Sequence, residues 1–122
     1  MMRLMIYALA VLSALTLAVA AYAVGVTGQG EKTVTATAAV ISATSIECTM
    51  LSLIADDGGA TNGNNGLIYI GKGDVSTANG FPMRPGGTLN LPINFESGVV
   101  NPSEIYAVAT DSSEKLRWIC LN

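Results

Sequence analysis

Apolar positions along this chain follow two different rules. From residue 4 to residue 26 they succeed one another with no charge, a run of 23 residues that is apolar on every side and reads as one hydrophobic helix. From Thr33 onward polar and apolar residues alternate, as in Thr33-Val34-Thr35-Ala36-Thr37-Ala38, which is the pattern of a strand with one wet face. Residues 46–55 and 67–70, with denser apolar runs, are predicted as more buried strands, and further strands are predicted over 81–84, 88–93, 105–110 and 115–121. Clusters of Gly, Asn, Asp and Pro separate them. Seven short strands with no intervening helix predict an all-β domain, an antiparallel β-sandwich that is jelly-roll-like or immunoglobulin-like. Pro92 removes a ladder donor and belongs in an edge strand or at a strand end.

The expected organisation is a hydrophobic segment over 1–24, a glycine-rich linker over 25–32 and a sandwich over 33–122. Gly25, Gly28 and Gly30 are the basis for the linker, since closely spaced glycines make a flexible joint. Arg3 opens the hydrophobic segment and Leu4, Leu9, Leu12, Leu15, Leu17 and Val24 mark its apolar body. Two readings of it stand open. Ala18-Val19-Ala20 and Ala21-Tyr22-Ala23 offer small-residue sites at which a secretory signal is cut. Uncut, about 20 apolar residues span a bilayer core of about 30 Å, with Arg3 on the cytoplasmic side. Either way the sandwich is exported, extracellular or part of a virion; the plainer rival, a buried helix of a soluble fold, asks a small protein to bury a helix that is hydrophobic all round.

Composition sharpens this division. The chain of 122 residues is 50% hydrophobic and 12% charged, but 22 of the first 26 residues are apolar against 39 of the remaining 96. The body is therefore an ordinary glycine-rich domain of normal hydrophobicity. The absence of histidine removes Ser-His-Asp and Cys-His catalysis and imidazole metal ligands. Six basic residues against nine acidic ones give no footprint for nucleic acid.

Each candidate for chemistry has a plainer rival. Cys48 and Cys120 lie in predicted strands of an exported domain, where a disulfide persists; the rival is two buried thiols. The loop over residues 56–66 is rich in oxygen ligands, and Asp56, Asp57, Asn62 and Asn64 form a weak calcium set. It lacks the EF-hand register and the distal glutamate, and a polar connection explains it equally well. Gly71-Lys72-Gly73-Asp74 follows a strand but lacks the phosphate-loop pattern. Trp118, Tyr69 and Tyr106 sit in apolar strands, as core residues do. Asn101-Pro102-Ser103 cannot accept a glycan because proline holds the middle position. No cofactor, no resident metal and no catalysis are expected.

The runs ISATSIECTMLSLIA, GLIYIGKGDVSTANGFPMRPGGTLNLPI and IYAVATDSSEKLRWICLN resemble small β-sandwich proteins encoded among bacteriophage virion genes. That group shares a strand ending near a cysteine, a segment of the form iyiG…dVS…G, a PGG turn and a closing iYvvA strand. The likeness covers residues 37–121 and carries no catalytic motif. It implies a structural role on a virus particle: decoration, spike or capsid-associated protein. The N-terminus departs from the pattern, and a retained anchor suits a virus with an internal lipid membrane. Expected partners are further copies of the chain in a homo-oligomer, a capsid protein, and the lipid bilayer if the segment stays uncut. The alternative is a host extracellular surface or fibre subunit, assembled by adding residues 33–42 to a neighbour's open sheet edge.

Overall fold

The computed structural model describes residues 25–58, 64–92, 98–111 and 113–122. The hydrophobic helix expected over residues 1–24, with Leu4, Leu9, Leu12, Leu15, Leu17 and Val24, lies outside them. Eight strands follow in order: β1 (Val26–Val34), β2 (Ala39–Val40), β3 (Met50–Ala55), β4 (Ile68–Gly71), β5 (Phe81–Met83), β6 (Thr88–Pro92), β7 (Tyr106–Ala109) and β8 (Glu114–Leu121). They form two four-stranded sheets, β1-β8-β3-β6 and β2-β7-β4-β5. Every pairing is antiparallel. One short 3-10 turn, Pro102–Glu104, precedes β7.

The expected linker over 25–32 is instead most of β1, the longest strand. Its glycines serve packing. Gly28 and Gly30 alternate onto the inner face, where they face Cys120 and Trp118 of β8 in register, and a side chain there would collide with the Trp118 indole or with Ile46. The strand expected from Thr33 is correspondingly split, because β1 ends at Val34 and β2 begins at Ala39. Among the described residues eight strands thus replace the seven expected. Residues 46–49 precede β3, with Cys48 held by an isolated bridge to Val100. Pro92 lies in β6, an edge of its sheet.

The core lies between the sheets. On β8 the period-two pattern buries Glu114, Leu116, Trp118 and Cys120 and turns Lys115, Arg117, Ile119 and Leu121 outward. Leu51, Leu53 and Ala55 of β3 lie beside them on the same sheet, and Ile68, Ile70, Met83, Ala107 and Ala109 close the core from the second sheet. A disulfide joins Cys48 to Cys120, with Cα atoms 5.3 Å apart and a sequence separation of 72.

Candidate interaction surface

The two outer faces of the sandwich differ. On the β2-β7-β4-β5 sheet the connection over residues 72–80 folds back over the strands. Val75 is 7% exposed. Its Cγ2 fills the space where Gly71 and Gly80 lack side chains, standing 2.8 and 2.7 Å from a Cβ built on each. The cap bonds to itself: Asn79 Oδ1 accepts from the Ser76 amide at 2.7 Å and its Nδ2 donates to the Asp74 carbonyl at 3.1 Å. Val108, outward on β7, is buried as well. This is what the Gly71-Lys72-Gly73-Asp74 stretch builds: a cover held by a valine.

The outer face of the β1-β8-β3-β6 sheet has no such cover among the described residues. Register arranges it in rows across the strands. The first row is Val26, Leu121, Met50 and Pro92, apolar throughout, with Val26 59% and Met50 36% exposed. The second is Gln29, Ile119, Ser52 and Asn90, uncharged, with the Ser52 hydroxyl bonded to Asn90 Oδ1 at 2.6 Å. The third is Glu31, Arg117, Ile54 and Thr88, and beyond it lie Thr33 and Lys115. The face therefore grades from apolar to charged over about 14 Å, four residues at strand rise.

The charged end neutralises itself. Arg117 Nε stands 3.2 Å from Asp56 Oδ1 and 3.3 Å from Glu31 Oε2, its Nη2 donates to Asp56 Oδ2 at 3.2 Å, and Lys115 Nζ lies 3.7 Å from Glu31 Oε1. Two acids meet two bases, with Asp56 mostly buried and the other three well exposed, and exposed pairs of this kind contribute about 0–1 kcal/mol each. An open depression of about 400 Å³ lies among Gln29, Glu31, Ile54, Arg117 and Ile119. Its one carboxylate is already committed to Arg117 and Lys115.

The calcium set is dispersed. Asp56 pairs with Arg117, Asp57 is exposed, and Asn62 lies outside the described residues. Asn64 is 1% exposed and bonds both ways to the Lys115 backbone, its Oδ1 accepting from the amide at 2.6 Å and its Nδ2 donating to the carbonyl at 2.9 Å. Glu114, also buried, accepts from the amides of Asn65 at 3.1 Å and Gly66 at 3.0 Å. These two side chains clamp the end of the loop onto the start of β8. Among the described residues no group of three or more acidic or cysteine side chains is arranged to hold a metal.

Trp118 belongs to the core, while Tyr69 and Tyr106 are half-buried on the capped sheet. Asn101, which cannot carry a glycan, caps the 3-10 turn by accepting from the Ser103 amide at 3.0 Å. It also accepts from the Ile46 amide at 3.2 Å. Sequence reasoning missed the apolar row. Its signal was present in Met50-Leu51-Ser52-Leu53-Ile54-Ala55, where apolar residues occupy both strand faces. Among the described residues no helix is long and apolar enough to cross a membrane. No family model, curated protein or solved structure matches the chain.

Proposed function

We propose that this protein is a non-catalytic structural component of a virus particle, held at a membrane by residues 4–24 with its sandwich on the far side from Arg3. The observation that carries the reading is the junction. Gly25 exchanges two backbone hydrogen bonds of 2.9 Å with Asn122, and Val26 is already in the sheet. The sheet thus begins directly after residues 4–24, with no linker among the described residues, as suits a part that ties a bilayer to a shell.

Two further features support the reading. The pairings of β1 with β8, β2 with β7, β3 with β6 and β4 with β5 are the nested winding of a jelly roll, an architecture of viral capsid proteins that also serves lectins and cupins. Because one fold hosts many functions, the winding supports the role only together with the junction. The disulfide suits an extracytoplasmic setting.

The host fibre alternative needs an open edge, and the edges weigh against it. β1 carries an irregularity between Val26 and Gly28 and turns Lys32 inward. β6 ends in Pro92, β5 contains Pro82 and β2 has two residues. Bulges, inward charges, prolines and short strands are the devices that discourage strand addition.

Peptide mass spectrometry on gradient-purified particles from cells carrying the gene tests the proposal. Peptides of this chain co-sedimenting with particles are expected. Peptides confined to the cell envelope would favour the host surface protein, and peptides confined to the cytosol would contradict both.

A further inference from the structure

We infer that the apolar row Val26, Leu121, Met50 and Pro92 seats on the surface of a lipid bilayer, so that the sandwich stands on the membrane at that end of its β1-β8-β3-β6 face, with the strands running away from the bilayer. The inference rests on the reading of residues 4–24 as a retained anchor.

Position is the first argument. The 24 residues that precede the described chain end at Val24, one residue from Gly25 and two from Val26 in the row itself. Gly25 is paired to Asn122, so the row cannot drift far from a bilayer that holds the preceding residues. The row spans four strands, about 14 Å at ordinary strand spacing. Four side chains make a weak contact alone. Tethering converts their docking into an intramolecular event at high effective concentration.

The grading of the face is the second argument. An apolar row, then an uncharged polar row, then a charged row matches acyl boundary, headgroup layer and water in turn. No Lys or Arg lies in the first two rows, so docking draws on apolar burial and needs no anionic lipid. The capped outer face of the other sheet offers no comparable row.

The test uses the full chain in phosphatidylcholine liposomes containing a lipid with a photoactivatable group near the headgroup boundary, followed by mapping of adducts by mass spectrometry. Adducts are expected on residues 1–24 and on Val26, Met50 or Leu121, with none on Ile54 or Lys115. Adding anionic lipid leaves the pattern unchanged. Adducts confined to residues 1–24 would overturn the docking and leave the anchor standing. A chain that stays in the supernatant without adducts would overturn both. Absence of adducts on Met50 and Leu121 in a chain that sediments as a dimer in detergent would overturn the docking in favour of a second copy. In Met50→Glu, an outward substitution whose folding is followed by Trp118 fluorescence, adducts on Leu121 are lost while those on residues 1–24 persist; adducts on Leu121 at the original level would contradict the inference.

Discussion

The indole of Trp118 lies directly over Gly30: a methyl group added to the glycine would stand 2.8 Å from Nε1 and 2.9 Å from Cε2 and Cζ2. The two residues are register partners on neighbouring strands, and the ring is rigid on its inner side against a close-packed core. Gly30→Ala therefore forces the indole or the β1 backbone to move, at a cost of about 1–3 kcal/mol. At Gly28 the nearest obstacle is Ile46 Cδ1, 2.6 Å away, the far end of a flexible side chain that can rotate aside. Urea unfolding followed by Trp118 fluorescence should show a larger drop in midpoint for Gly30→Ala than for Gly28→Ala. The reverse order would contradict this packing.

The clamp at the start of β8 predicts a local effect. Glu114→Leu leaves the amides of Asn65 and Gly66 without their acceptor, and Asn64→Ala strips the Lys115 amide of its own. Each should cost about 1–3 kcal/mol, the usual penalty for stranding a buried polar group. Hydrogen exchange at Asn65 and Gly66 should accelerate in Glu114→Leu while the β3–β8 ladder keeps its protection. Unchanged exchange at those two amides would show that the clamp does not hold the loop.

The disulfide ties the segment before β3 to the last strand, and Thr27 Oγ1 lies 3.0 Å from Cys120 Sγ. Closing a loop of this length stabilises by about 4 kcal/mol in the chain-entropy model, which for a domain of this size corresponds to roughly 15–30 °C in Tm. Calorimetry of the oxidised protein, the reduced and thiol-blocked protein, and the double variant Cys48→Ala/Cys120→Ala should show both treated forms melting lower by that order. Equal melting temperatures would mean that the bridge contributes nothing to stability.

The all-β class, the sandwich and most strand positions were legible because short apolar or alternating runs are each bounded by clusters of Gly, Asn, Asp or Pro. β1 was not, because the property that makes Gly28 and Gly30 strand residues belongs to Trp118, which lies far along the chain. Locally, closely spaced glycines read as a joint. The roles of Asn64 and Glu114 were hidden for the same reason. An asparagine in a polar loop looks like a solvated or ligating side chain, and only the tertiary fold brings it to a backbone 51 residues away. The outward row was half legible: Met50, Ile119 and Leu121 break the alternation, but which of them align across strands depends on register, which sequence alone does not set.

In the proposed role residues 4–24 remain attached and hold the sandwich at a membrane. Intact-mass spectrometry of the mature protein, combined with carbonate-washed membrane fractionation, addresses it most directly. The account predicts a chain that begins at Met1 or Met2 and stays with the membrane pellet after the wash. A chain that begins at Tyr22 or Val24 and is recovered in the soluble fraction would contradict it.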